Sequence, residues 1–182
     1  MTVLRLDRTK AAVLVVDVQE RLCAAMEPTA LARMVRRTCA LLEGARALGL
    51  PVAYTEQYPR GLGPTLAALK PLLEGATFAE KLRFSAAVPA IEKALAGRTQ
   101  LLLAGMETHV CVFQTARDFV ANGSAVLLVT DAVLSRTEED RRVGLELCRH
   151  AGAQLWTVEA ALFDLLAEAG TPEFKRVSAA VK

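Results

Sequence analysis

The sequence predicts one α/β domain built on a parallel sheet with right-handed crossovers. Three observations predict it. Short apolar runs alternate with longer amphipathic segments, glycines follow the ends of several of those segments, and 182 residues are the length of one domain. Strands joined through helices of about ten or more residues have room to return in the same direction, which makes neighbouring strands parallel. The domain is expected to span residues 1–182, with its core at about 10–170.

The elements follow in order. AAVLVVDV (11–18) is almost wholly aliphatic and β-branched, the pattern of a strand buried on both faces. Across 29–48, Leu31, Met34, Val35, Thr38, Leu41, Leu42 and Ala45 share one helical face, and Gly49 supplies a stop. PVAYTE (51–56) reads as the second strand and ATFAEK (76–81) as a short third. A helix is expected over 86–95, ended by Gly97. TQLLLAG (99–105) is the fourth strand, followed by a helix over 110–121 that Asn122-Gly123 closes. SAVLLVT (124–130) is the fifth strand, with a helix over 138–150 closed by Gly152. AQLWTV (153–158) is the last strand, and a helix over 160–169 follows it. Residues 57–64 and 131–137 read as loops, and nothing periodic follows Pro172.

Composition removes several classes of function. With 53% hydrophobic and 23% charged residues, the chain has ample core material and is not a disordered polymer. A net charge of +2 gives no electrostatic footprint for nucleic acid or an anionic membrane. No apolar run approaches the roughly 18 residues of a spanning helix. MTVLRLDRTK lacks the apolar segment and cleavage site of a signal peptide, so a cytoplasmic location is expected. Cys23, Cys39, Cys111 and Cys148 include no C-x-x-C pair and no zinc spacing, which argues against a disulfide framework. Cys23, Cys39 and Cys148 read as small buried hydrophobes.

Ligands of an open parallel sheet bind beyond the carboxyl ends of its strands. Three reactive side chains fall there: Asp17 closes the first strand, Lys81 ends the third, and Cys111 follows the fourth, after the loop GMETH and within the first turn of the next helix. A free thiol is mostly protonated at neutral pH. A helix amino end and a nearby Lys81 ammonium would favour its thiolate, and Asp17 would take the thiol proton and return it to a leaving group. Backbone N–H groups around 107–111 would stabilise an oxyanion. That set of groups suits hydrolysis of an amide or similar carbonyl compound through a thioester. Gln57, Tyr58, Phe84 and His109 are the expected walls of a small-molecule pocket.

VVDVQ (15–19), EKLRFS (80–85) and GMETHVCVFQTARD (105–118), in this order and spacing, resemble the isochorismatase-like hydrolase superfamily, in its cysteine hydrolase branch. The resemblance runs from about residue 10 to 156. It implies a doubly wound, three-layer fold whose six-stranded parallel sheet has the order 3-2-1-4-5-6, and a homo-oligomer. It also implies a catalytic triad of Asp17, Lys81 and Cys111. A non-proline cis peptide is implied at Met106–Glu107, expected to turn the Glu107 N–H toward the oxyanion beside that of Cys111.

Two departures sharpen the reading. Isochorismatases proper lack the nucleophilic Cys, so Cys111 argues against an ether hydrolase. Nicotinamidases carry an Asp and several His after the second strand to hold a metal, whereas YTEQYPRGLGPT contains no His and the chain has only His109 and His150. Neither metal nor cofactor is therefore expected. The leading expectation is a metal-independent cysteine hydrolase acting on a small amide or related C–N bond. The alternatives are the ether hydrolase and a redox or binding protein with a reactive thiol, the latter disfavoured because no C-x-x-C resolving partner exists.

Overall fold

The computed structural model describes residues 4–182. Its sheet is six-stranded and parallel, in the order 3-2-1-4-5-6 that the resemblance implies. In chain order the elements are β1 (Ala11–Val16), α1 (Glu20–Cys23), α2 (Pro28–Leu48), β2 (Val52–Gln57), α3 (Pro59–Leu62), β3 (Thr77–Lys81), α4 (Pro89–Ala94), β4 (Gln100–Met106), α5 (Phe113–Ala121), β5 (Ala125–Leu134), α6 (Glu138–His150), β6 (Gln154–Trp156), α7 (Val158–Leu166) and α8 (Pro172–Ala180).

β1 and β4 form the centre and are buried along their whole length, which is why both are unbroken apolar runs. Alternation along β1 feeds two cores. Ala11, Val13 and Val15 pack with Leu41, Leu42, Leu162 and Val177, under α2, α7 and α8. Ala12, Leu14 and Val16 pack with Ile91, Val112, Ala116 and Phe119, under α4 and α5. None of the helices is long and apolar enough to cross a membrane, among the described residues.

The structure moves several sequence boundaries: α5 starts at Phe113 rather than 110, α7 runs Val158–Leu166 rather than 160–169, and α3 turns within the loop expected at 57–64. β5 continues to Leu134, through half of the expected loop at 131–137. Leu103 pairs with Leu128 while Gly105 pairs with Val133, so a register shift carries the strand past Thr130 and through Asp131, the first residue of the expected loop. α4 begins only at Pro89, whose fixed φ suits a first helical position, so the expected helix at 86–95 loses its amino end. The last strand is reduced to Gln154–Trp156, because Thr157 caps α7 by accepting from the Ala160 N–H. Beyond residue 170, Thr171 caps α8 in the same way. Only Val177 of that helix is buried, too little to leave an apolar period in the sequence.

Gly105 is where the central strands meet most tightly. Its φ is +124°, and a Cβ there would lie 2.0 Å from the Val16 carbonyl oxygen and 2.6 Å from the Val16 nitrogen. Both are backbone atoms of the adjoining central strand and cannot give way. Gly105→Ala is therefore expected to destabilise by more than about 3 kcal/mol in chemical denaturation. Gly97→Ala, also at positive φ but with open space around it, should cost only about 1–2 kcal/mol. Equal effects of the two substitutions would contradict the close approach.

Candidate active site

The site lies where β1, β2 and β3 end. Strand alternation alone would aim Asp17 at the face of Val13 and Val15. Its φ of 52° ends that alternation, a left-handed backbone that Asp tolerates better than most residues. The Asp17 N–H still donates to the Thr55 carbonyl at 3.1 Å, so β2 holds the turn in place. Asp17 Oδ1 accepts from Thr55 Oγ1 at 2.7 Å, and Oδ2 accepts from Lys81 Nζ at 2.6 Å. Both charged side chains are fully buried. Lys81 Nζ also donates to Gln57 Oε1 at 2.8 Å and to the carbonyls of Phe84 at 2.8 Å and Arg83 at 3.3 Å.

Cys111 sits in a single π-helical turn, Thr108–Val112, ahead of α5, and is 6% exposed. Its thiol is near enough to Asp17 and Lys81 for side-chain hydrogen bonds to both to act on its ionisation. Thr115 accounts for the turn's placement on one side. Its hydroxyl donates to the Cys111 carbonyl at 2.6 Å and accepts the Ala86 N–H at 2.8 Å, tying the turn of Cys111 to the segment that follows Lys81. On the other side α6 presses against the turn's backbone at Gly144. The Met106–Glu107 peptide is cis. The buried Glu107 carboxylate accepts the N–H and Nε–H of Arg136, each at 3.0 Å. Thr108 Oγ1 is buried with no hydrogen-bond partner.

The electrostatics favour a neutral thiol at rest. Burial raises Asp17, against the opposing pull of Lys81 and the hydrogen bonds of Lys81 and Thr55. Burial pushes the Cys111 thiol up to about 12, the Asp17 charge adds to the rise, and Lys81 opposes it. On sequence grounds Lys81 and the helix end are expected to acidify this thiol; in the structure desolvation outweighs them. Cys148, buried with no charged neighbour acting on it, is also pushed up to about 12. Cys23 and Cys148 are buried as expected, whereas Cys39 is half-buried.

The four expected wall residues divide. Tyr58 lines a cavity of about 340 Å³ beside Lys81, together with Pro59, Arg60, Glu80 and Leu82. Gln57, Phe84 and His109 do not line it. The Gln57 carboxamide is held by Lys81 and by the Leu82 carbonyl, to which its Nε2 donates at 2.8 Å. The ring of Phe84 is half-exposed while its carbonyl faces Lys81. His109 Nδ1 lies 3.1 Å from Ser135 Oγ, and its Nε2 lies 3.9 Å from Asp140. Sequence reasoning missed Thr55 and Thr115, whose roles rest on hydrogen bonds between distant segments and leave no local pattern. Among the described residues no group of three or more His, Cys, Asp or Glu is placed to hold a metal ion. Glu56, the one acid near the second strand's end, accepts instead from the N–H and hydroxyl of Thr65.

The family model of the isochorismatase domain matches residues 11–160. A secreted isochorismatase effector of Phytophthora sojae, Isc1, is 39% identical over 159 residues, covering 84% of this chain and 76% of that protein. Isochorismatase domain-containing protein 1 of Danio rerio is 42% identical over 78% of this chain, and the chain spans about half of its length, 51%. Among solved structures, a MAR1 ribonuclease from Caenorhabditis elegans is similar with a TM-score of 0.93 and 35% identity, covering 98% of this chain and 92% of that one. YcaC from Pseudomonas aeruginosa, with hexane-2,5-diol and covalent acrylamide, is similar with a TM-score of 0.88 and 27% identity, covering 99% and 93%.

A Cβ at Gly144 would lie 2.7 Å from the His109 nitrogen and 2.8 Å from the Thr108 carbonyl carbon. Gly144→Ala must therefore move the turn that carries Cys111. Acrylamide labelling of Cys111 in this variant, followed by peptide mass spectrometry, should be about tenfold to a hundredfold slower than in the parent. Labelling of the half-buried Cys39 should not change. Unchanged labelling of Cys111 would show that α6 does not set the turn's position.

Proposed function

Because this chain belongs to the isochorismatase family, whose members are hydrolases, we propose that it is a cysteine hydrolase cleaving a small amide or related C–N bond through a thioester at Cys111. The observation that carries the reading is the buried carboxylate of Asp17, held by Lys81 and Thr55 and close enough to Cys111 to act on its ionisation. A buried carboxylate with a thiol beside it is a general base placed on its substrate proton.

In this mechanism Asp17 takes the Cys111 proton as the sulfur attacks the carbonyl carbon, since no thiolate stands in the resting site. The carbonyl π electrons move to oxygen, and the backbone N–H groups of Glu107 and Cys111 donate to that oxyanion. Collapse expels the nitrogen, which receives the proton from Asp17 and leaves as an amine or ammonia. The remaining thioester is attacked by water, whose proton passes to Asp17. Second collapse expels the Cys111 sulfur, which takes the proton back, and the carboxylic acid departs. Lys81 opposes the rise that burial imposes on Asp17 and offsets the negative charge while the proton moves.

Further support comes from the relative with covalent acrylamide, because acrylamide is an electrophile of the kind that thiols attack. A net charge of +2 favours a small-molecule substrate over a polyanion. Tyr58, Phe78, Leu82 and Phe84 expose large apolar groups around β3 and the segment after it, which supports a homo-oligomeric protein.

The test is hydrolysis of a panel of small primary and N-substituted amides, with acid-quenched intact-mass detection of an acyl adduct. The parent should accumulate an adduct on Cys111, and Cys111→Ala should show neither adduct nor turnover. Asp17→Asn should lose about a hundredfold or more in kcat. Since burial raises Asp17 and the ionised form is the base, the acid limb of the rate profile should lie above the ordinary carboxylate range. Turnover of the same amide by Cys111→Ala at the parental rate would overturn the proposal.

A further inference from the structure

Lys81 Nζ has three N–H bonds, and three acceptors lie within 2.8 Å: Asp17 Oδ2, Gln57 Oε1 and the Phe84 carbonyl. Two of them are fixed by other duties. Asp17 is the proposed base, and the Phe84 carbonyl belongs to the main chain. Gln57 is the remaining side chain, and its placement is well determined. Its backbone N–H donates to Gln19 Oε1 at 2.8 Å and its carbonyl accepts from Gln19 Nε2 at 3.1 Å. Gln19 is fully buried and its Nε2 also donates to the Gly63 carbonyl at 2.6 Å. The carboxamide of Gln57 is therefore anchored at its root by Gln19, at its nitrogen by Leu82 and at its oxygen by Lys81.

We infer that Gln57 is a positioning residue: by occupying one N–H of Lys81 with a neutral acceptor, it sets how much of that cation's charge reaches Asp17 and Cys111. This assigns Gln57 to the charge balance of the site rather than to a substrate wall. It rests on the proposed triad and extends it. The physical reason is that an ammonium shared among acceptors is drawn toward each of them, and a buried amide oxygen competes without adding a charge. The charged groups that act on Cys111 are Asp17, at the end of β1, and Lys81, at the end of β3. Glu107 is paired with Arg136, and Glu56 is held by Thr65.

Two substitutions test this with opposite signs. Gln57→Met is close in shape and removes the acceptor, leaving more of the Lys81 charge to favour the ionised forms of Asp17 and Cys111. Gln57→Glu keeps an oxygen for Lys81 but adds a second carboxylate that competes for it. Neither touches the backbone bonds to Gln19, so the loop is retained, and thermal melting checks that both variants fold. The readout is the pH dependence of Cys111 labelling by iodoacetamide in the unliganded protein, with Cys148 as the internal reference. The profile of Gln57→Met should move to lower pH and that of Gln57→Glu to higher pH, each by about one unit. Profiles that superimpose on the parent's, or two that move in the same direction, would overturn the inference while leaving the triad standing. A parent Cys111 that labels no faster than Cys148 would instead overturn the triad reading and this inference with it.

Discussion

The ion pair between Asp17 and Lys81 is the constraint on which the rest of the site depends. Two charges buried completely at 2.6 Å separation carry a desolvation cost of several kcal/mol per ion, repaid only when the remaining lone pairs and protons are bonded. The structure meets that condition from three strands. β1 supplies Asp17 through a left-handed residue, β2 supplies Thr55 and Gln57, and the end of β3 supplies Lys81 with the carbonyls beyond it. A protein seeking stability alone would do as well with apolar residues at these positions. Keeping the pair makes sense as chemistry in the proposed reading, because it holds a carboxylate base beside the thiol and shields it from bulk solvent.

The same constraint explains the character of the surrounding strands. The residues of β1 and β4 that lead up to the site are uniformly aliphatic and fully enclosed, so the apolar surroundings that raise the Cys111 thiol are provided by the central sheet itself. Gly105 lets β4 approach Val16 closely, and the turn of Cys111 follows within a few residues. Position is thus set by backbone packing at Gly105 and Gly144 and by the hydroxyl of Thr115, while in the proposed reading reactivity falls to Asp17 and Lys81. The two jobs fall on different residues, so they can be separated by substitution.

Much of this was legible in the sequence. The six strands and their parallel arrangement follow from the apolar runs, because a buried parallel strand has little freedom in composition, whereas the sheet order was implied only by the family resemblance that the three motifs carry. Asp17 and Lys81 could be picked out because a charge at the end of such a run is unusual, and Cys111 because it follows one. What could not be read depends on contacts between distant segments. The extension of β5 from Asp131 to Leu134 needs a register shift that no local pattern encodes. The bond from Thr115 to Ala86 and the hold of Gln57 on Lys81 join residues far apart in sequence. The sign of the thiol's shift was missed for a related reason: sequence shows which charges are near Cys111, but burial, which dominates, is a property of the fold.

The most direct measurement is the rate of iodoacetamide labelling of Cys111 at neutral pH in Asp17→Asn against the parent. Two effects of Asp17 oppose each other in this experiment, since its charge raises the thiol while, in the proposed role, its carboxylate takes the proton. A base role predicts that the substitution slows labelling of Cys111 toward the rate of Cys148, a thiol raised as far by burial but lacking a carboxylate partner. Labelling that is unchanged or faster in Asp17→Asn would mean that Asp17 merely holds the thiol neutral, and the account of Cys111 as a base-assisted nucleophile would fail.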